Sequence, residues 1–578
     1  MKSKNIKKML VLLTSSMLIT SLLAGCQSSS KNSDGNKSGT SNDPLKITVF
    51  DDAANYQGDQ TGWFAKVIEK KFNISLNILA PNVAGASLYQ TRAAAGNLGD
   101  LLVISNNELS DSIKAGLVMD MSSMIDKYPN LKKYYDQFSY FNKTFDKDAN
   151  PKGLIYGLPT NTVATSPTSY TAQIPYSSPM LPWDYYVKAG SPKMNNLNDL
   201  LNVLKTMQQA NPKAPNGKPT YAISLWKDWD NYMMENVRWL CNWYGYEEPA
   251  DTSTVMVNAA GQPQVITDDN SMYYQILKFF YTANQMGLVD PDSVSQDWNT
   301  MSQKLTNKQV LLLWYSWENG FYNTIERGKN NDGYVGVPIA DTKIIQDGDA
   351  YYGDGRVFAI GSQAKEPERI MQFLDWMASP EGVRYIADGI EGFNYTKQAD
   401  GKFAYTEAGQ TAFQNNTPVP AELGGGGYQD GQSKINTQLI NDMSPDPDTK
   451  ETFNPNLWSS TIKLNQTTLT NNWQKAYDAK DALDYYMKNK MIDVVPNINV
   501  NFGTDTSEIT NSRNQCKQLV LDTSWRMVFA KNETEFNKLW NDMKTQLKGL
   551  GWDELVTTDK GRVKVLADLR AQAVSNKK

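Results

Sequence analysis

The chain contains no histidine in its 578 residues. That excludes the Ser-His-Asp triad, the Cys-His dyad and a histidine general base. It also excludes every zinc, copper or iron site that uses imidazole. Three cysteines are too few for a four-cysteine zinc site or a four-cysteine iron–sulfur cluster. Excess charge is small as well: 57 Lys and Arg against 62 Asp and Glu leave a net charge of −5, with no basic footprint for nucleic acid. A mean hydropathy of −0.53 does not fit a polytopic membrane protein. Catalysis is left to Asp, Glu, Lys, Tyr or Ser, and any metal would be a hard ion held by oxygens. What the chain does have is amphipathic rings, 30 Tyr and 15 Trp against 18 Phe. Those two residue types pair an apolar face with a polar tip and favour interfaces and ligand clefts. The length implies two or more domains, because single cores stop growing near roughly 250–300 residues.

One apolar run stands at the start. Lys2, Lys4, Lys7 and Lys8 precede residues 9–25, which end Leu23-Ala24-Gly25-Cys26. The layout is that of a secretory signal peptide over 1–25. Its last four residues resemble the lipobox of bacterial lipoproteins, in which the cysteine thiol receives lipid. An ordinary cleaved signal and a retained membrane anchor are the alternatives. Residues 26–44 carry no large apolar side chain, so nothing offsets chain entropy there and they read as a flexible tether. Two or more acyl chains on Cys26 would hold the protein stably at a membrane surface.

Beyond the tether, residues 45–50 and 74–79 alternate as strands, 63–72 and 89–95 show helical faces, and 101–104 reads as a short buried strand. This succession suggests βαβ units and a largely parallel sheet. Further amphipathic helices are expected at 197–208 and 272–285. A pair at 365–378 and 380–387 is divided at Ser379-Pro380. The stretch after about 455 is mostly helical, ending in a helix at 533–547. Gly424 to Gly427 lacks the Lys-Ser/Thr of a phosphate loop and reads as a mobile surface loop.

Several separated segments resemble the large, oligosaccharide-type branch of the family 1 extracellular solute-binding proteins, the lipoprotein receptors of ABC importers. Ala93-Ala94-Ala95-Gly96-Asn97-Leu98-Gly99-Asp100-Leu101 is similar to a turn of that family, with Gly99 where the family usually has proline. Ala115-Gly116-Leu117-Val118-Met119-Asp120-Met121, Gly153-Leu154-Ile155-Tyr156-Gly157-Leu158-Pro159 and Gly287-Leu288-Val289-Asp290-Pro291-Asp292 resemble others. So do 185–204, Gly389-Ile390-Glu391-Gly392 with Tyr395, and the tail 525–540. Their shared order covers about 45–555. The resemblance implies an α/β, two-lobed periplasmic-binding-protein-like fold with a cleft between lobes and a helical C-terminal extension. One lobe would comprise 45–165 and 335–405, the other 166–334 and 406–578. It also implies a monomeric receptor, lipid-anchored outside the cytoplasmic membrane of a Gram-positive bacterium. Such a receptor hands an oligosaccharide to ABC permease subunits and carries no enzyme activity, metal, cofactor or nucleic acid.

Sugars offer C–H faces to aromatic rings and hydroxyls to donors and acceptors. Candidate segments should therefore mix Trp or Tyr with Asp, Asn or Arg. Four do. Asp52 and Asn55 follow the first strand, with Trp63 nearby. Trp226 and Trp229 follow an expected strand at 221–225. Asp297 and Trp298 follow the helix that ends near Gly287. Trp314 and Trp317 end the apolar run 310–313, beyond a strand's C-terminal end, where open α/β sheets bind ligands. Asp354 and Arg356 enter as candidates through the family resemblance, which places them near the cleft; otherwise they form a plain turn. For every tryptophan the alternative is a core position. Trp239 and Trp243, at helical spacing around Cys241, read as core. Cys241 and Cys516 fall in one lobe and read as free buried thiols rather than a bridge. Asp146-x-Asp148-x-Asn150 starts like a calcium loop but has Pro151 and no closing Glu, so it reads as a polar turn.

Two other functions fit the composition. A secreted glycoside hydrolase needs a pair of carboxylates and no histidine, although no motif marks such a pair. A peptide-binding receptor would share the layout.

Overall fold

Strict alternation builds the first strands. In Leu45–Asp51, Ile47 and Val49 point inward and are fully buried. Ile74–Leu79 does the same with Ile74, Leu76 and Ile78. The two pair in parallel, from Leu45 opposite Ile74 to Phe50 opposite Leu79. Leu101–Ser105 lies on the other side of Leu45–Asp51, also parallel. Its first four residues are all buried, as in a strand covered on both faces. Arg356–Ile360 arrives from far along the chain and joins it antiparallel. The six-stranded sheet runs Gly58–Asp59, Ile74–Leu79, Leu45–Asp51, Leu101–Ser105, Arg356–Ile360, Leu158–Pro159. The structure is a computed structural model that describes residues 43–575, except 86, 172–174, 250–251, 501 and 503–504. The signal peptide, Cys26 and almost all of the tether expected from the sequence lie outside the described residues.

Gly99 holds φ at +150°, a conformation that proline's fixed φ cannot reach. A Cβ on Gly361 would sit 2.0 Å from the Gly99 carbonyl oxygen, so two glycines let adjacent chain segments touch. The expected helices form and are capped as their sequences suggest. The Asn196 side chain accepts from the backbone N–H groups of Asn198 and Asp199 at the start of Leu197–Ala210. Ser271 caps Met272–Gln285. Ser379 ends the turn after Pro367–Met377 and caps Pro380–Ala387. Long helices follow at Ser507–Val528, Glu533–Lys548 and Trp552–Ser575. No described helix is long and apolar enough to cross a membrane.

The apolar side chains gather into two main cores. One gathers Ile47, Leu101, Phe358, Leu374, Leu439 and Phe453 around the large sheet. The other gathers Met180, Leu277, Leu313, Trp525 and Leu555. It surrounds a second sheet in which Ser177–Pro182 pairs antiparallel with Leu313–Tyr315 and Tyr334–Gly336. The result is two α/β lobes. The strand expected at 221–225 reduces to single bridges, Tyr221 to Val310 and Ile223 to Val289.

One boundary differs from the sequence reading. Residues 412–453 belong to the first core, whereas the sequence reading put all of 406–578 in the second lobe. The reason is the seat of Trp63. Its ring stacks on Tyr428 with centroids 5.5 Å apart, and its indole N–H donates to the Tyr428 carbonyl at 2.9 Å. The four-glycine run is likewise no free loop, because a Cβ on Gly424 would meet Trp63 Cα at 2.6 Å. The chain thus passes between the cores three times, near 159–177, 340–356 and 454–468. The second crossing holds both a strand from beyond the third and the first crossing. Ile344–Asp347 pairs in parallel with Ile492–Val495. The Asp349 carboxylate accepts from Thr165 Oγ1 and from the Thr171 hydroxyl and N–H, each at 2.7 Å. A few loop residues within such connections are where lobe closure can be absorbed.

The last helix is fixed to the second lobe by buried charge. Asp559, with no exposed surface, accepts from the N–H groups of Ser253 and Thr254 and from the Thr254 hydroxyl. Arg513 pairs with it at 2.9 Å and with Asp505 at 2.8 Å.

Candidate functional site

A tier of rings forms where three loops of the second lobe meet. Leu313–Tyr315 leads into a tight turn, Glu318–Phe321. The Glu318 carboxylate folds that turn back by accepting the N–H groups of Trp314 at 2.9 Å and Tyr315 at 3.0 Å. Trp317 and Phe321 are thereby turned outward, and Phe321 is 40% exposed. Burial pushes the Glu318 carboxyl up to about 8, against the two backbone donors. Asp297 caps Trp298–Thr306 by accepting the Thr300 N–H at 2.8 Å. The Trp298 N–H donates to Asp228 at 3.0 Å, locking this helix to the loop that carries Trp229. The rings of Trp229 and Trp298 then stack at 4.6 Å. Trp298 meets Trp317 at 5.1 Å and Phe321 at 5.8 Å. Trp317 stacks on Tyr315 at 5.3 Å, and Tyr315 touches Tyr176 and Trp239, each at 5.5 Å. Tyr176, 45% exposed, closes that end of the row.

Cavities flank the tier. One of about 490 Å³ lies between the lobes, with Asn106, Asp354 and Gly355 on the first-lobe side and Glu247, Glu248 and Arg570 on the other. A second of about 390 Å³ shares Glu247, Glu248 and Asp347 and adds Tyr176, Arg238 and Trp239. Two guanidinium groups serve four carboxylates here. Arg238 pairs with Glu235 at 2.8 Å and Glu248 at 3.2 Å, and Arg570 pairs with Glu247 and, at 3.4 Å, with Asp347. Desolvation pushes Glu247 and Glu248 up to about 7 despite those partners. A third cavity of about 600 Å³ opens at the other end, with Asn319 and Gly320 on one side and Tyr405 and Gln410 on the other.

The sequence candidates divide. Trp229, Trp298 and Trp317 converge in the tier and are partly buried. Arg356 and Asp52 come together, Nε to carboxylate, at 2.8 Å. Asp354 accepts from Asn161 at 2.6 Å and from the Thr160 hydroxyl and lines the first cavity. Asp297 serves as a helix cap. Asn55 is exposed, 3.4 Å from the Asn82 amide, and lines none of these cavities. Three tryptophans proposed for ligand contact are core residues instead. Trp63 is 1% exposed, and Trp226 and Trp314 show no exposed surface. Trp226 and Trp314 stack on each other at 5.3 Å behind the tier, with backbone and rings filling every side. Conversely Trp239, expected in the core, lines a cavity, whereas Trp243 is fully buried and donates to Ser177. Sequence reasoning missed Tyr176, Phe321, Arg238, Glu247, Glu248 and Arg570. The run Tyr244-Gly245-Tyr246-Glu247-Glu248, which sets rings beside carboxylates, is the signal that could have found two of these. Asp146 accepts from the N–H groups of Asp148 and Ala149 and forms a polar turn. Cys241 and Cys516 are both free and buried.

The family model described as bacterial extracellular solute-binding protein matches residues 57–384. The fructooligosaccharide ABC transporter substrate-binding protein FusA of Streptococcus pneumoniae serotype 4 is 24% identical over 219 residues. That match spans 37% of this chain and 38% of that relative's length. Among solved structures, an HMO-binding ABC-transporter-associated solute-binding protein from Bifidobacterium longum infantis is similar with a TM-score of 0.63 at 15% identity, covering 91% of this chain and 100% of that one. FusA of S. pneumoniae in complex with kestose is similar with a TM-score of 0.60 at 15% identity, over 90% of this chain and 99% of that one. At these identities the likeness to solved structures is one of fold.

Proposed function

The chain belongs to the bacterial extracellular solute-binding protein family, and from that premise we propose that it is a carbohydrate receptor that binds an oligosaccharide in its interlobe cleft and delivers it to an ABC permease. The observation that carries this reading is the tier of rings, with Tyr176, Trp229, Trp298, Trp317 and Phe321 at least partly exposed around a buried Tyr315, bordered by cavities whose walls come from both lobes. Rings take the C–H faces of a sugar, and amides, hydroxyls and carboxylates take its hydroxyls. The names of the relatives, a fructooligosaccharide-binding protein and an HMO-binding protein, support the same ligand class. The receptor performs no chemistry: closure of the lobes presents the loaded form, and the importer's ATPase supplies the energy. Lipid on Cys26 holds it outside the cytoplasmic membrane, as a monomer on a flexible tether, in a Gram-positive bacterium.

A thermal-shift panel of neutral oligosaccharides and peptides tests this. A saccharide at a hundred times its Kd should add about 2.7 kcal/mol of stability. Trp298→Ala and Trp317→Ala should each cost about 2 kcal/mol of binding, roughly thirty-fold in Kd. Stabilisation by peptides alone would sink the sugar assignment. Release of shortened products from any oligosaccharide would make the protein a hydrolase.

A further inference from the structure

The 600 Å³ cavity is as large as a small-ligand site, which typically spans roughly 300–1,000 Å³, and none of the sequence candidates reaches it. We propose that it is a distal subsite of the same cleft, so that the bound saccharide is a chain running from the acidic cavities along the rings into this neutral one. The inference rests on the receptor reading above.

Four observations carry it. Asn319 and Gly320 in the cavity wall belong to the same turn as Phe321 and lie two and three residues after Trp317. The cavity therefore begins where the ring tier ends. The exposed rings share one support: Tyr176 and Trp317 pack on the buried Tyr315 at 5.5 Å and 5.3 Å, and Trp317 meets Phe321 at 6.2 Å. The far wall comes from the first lobe, through Tyr405 and Gln410, and from the third crossing, through Asn456 and Thr461. Closure would thus grip a ligand here as it does at the acidic end.

The chemistry of the two ends differs. Side-chain amides and hydroxyls dominate this lining, and Glu326 is its single charged residue among the described residues. Amides and hydroxyls both donate and accept, which suits the hydroxyls of a neutral sugar unit. The fourth observation is Gly320 itself. Many glycines of this chain answer to a positive φ or to a close neighbour, as Gly424 answers to Trp63. Gly320 has no positive φ, and a Cβ there would meet nothing within 4 Å. Its missing side chain serves neither backbone nor packing. A larger side chain there would project into the open space at the cavity wall.

The test is calorimetry on xylo-, manno- and fructo-oligosaccharide ladders from di- to hexasaccharide, with the wild type, Gly320→Trp and Gln410→Ala. In a ladder that binds, wild-type affinity should climb at least ten-fold with length. Gly320→Trp should weaken the hexasaccharide at least ten-fold more than the disaccharide. Gln410→Ala, an exposed truncation that the fold tolerates, should show the same bias at smaller size. Affinity independent of length, or variants that affect short and long members alike, would overturn the distal subsite and leave the receptor reading intact. Binding of no ladder at all would overturn the receptor reading and the subsite with it.

Discussion

Glu318→Gln should make the protein less sensitive to alkaline pH. Glu318 has no exposed surface, and one carboxylate oxygen accepts the N–H groups of Trp314 and Tyr315. The other has no hydrogen-bond partner among the described residues. Burial raises its pKa from 4.5 to about 8. Between those values the folded state holds the proton and the unfolded state does not, so stability falls as pH rises. Integrated over that window, this one group costs a few kcal/mol between pH 5 and pH 9. Glutamine keeps the accepting oxygen for both backbone donors and removes the titration. The experiment is guanidinium unfolding at pH 5, 7 and 9, followed by the near-ultraviolet circular dichroism of the packed tryptophans. The quantity to read is the difference between variant and wild type at each pH, because Glu247, Glu248, Asp51 and Asp230 are also raised and contribute equally to both proteins. That difference should move in favour of glutamine by a few kcal/mol from pH 5 to pH 9. Parallel pH profiles would refute the buried, protonated carboxyl and with it the account of how Trp317 is turned outward.

Other expectations follow from the same packing. Asp559→Ala should destabilise the second lobe by about 3 kcal/mol or more, since it strips Arg513 of a buried partner and two backbone N–H groups of their acceptor; an unchanged melting temperature would contradict this. Trp63→Ala should cost about 3–5 kcal/mol of stability while saccharide affinity of the folded protein is retained. Lost binding with unchanged stability would return Trp63 to the cleft. Burial pushes the Cys516 thiol up to about 11 and that of Cys241 higher still, so neither should react with a thiol reagent until the protein is unfolded. Rapid labelling of the native protein would show one of them to be exposed.

The secondary structure was legible because it follows from local periodicity, and the lobed class because separated segments resemble a known family in a shared order. The alternation in 45–50 and 74–79 can bury one face only as strands, and Ser379-Pro380 must interrupt a helix. The absence of histidine excludes whole classes of chemistry before any fold is known. The three tryptophans assigned to the wrong environment show where that legibility stops. Trp226 and Trp229 share one loop and similar neighbours, yet one is sealed behind the other and the second reaches the surface. Which ring is sealed depends on what the third loop, around Trp314, places against it. Helical spacing put Trp239 and Trp243 on one apolar face, but Tyr176 from a distant crossing segment turned one edge of that face into a cavity wall. The membership of 412–453 in the first lobe likewise hangs on a glycine run fitting over Trp63. By itself, then, the sequence determined the elements, the family and the chemistry open to the chain. Tertiary structure alone decided which rings are sealed in the core, which reach the surface and which carboxylates share a guanidinium, because those outcomes are set by contacts between residues far apart in the chain.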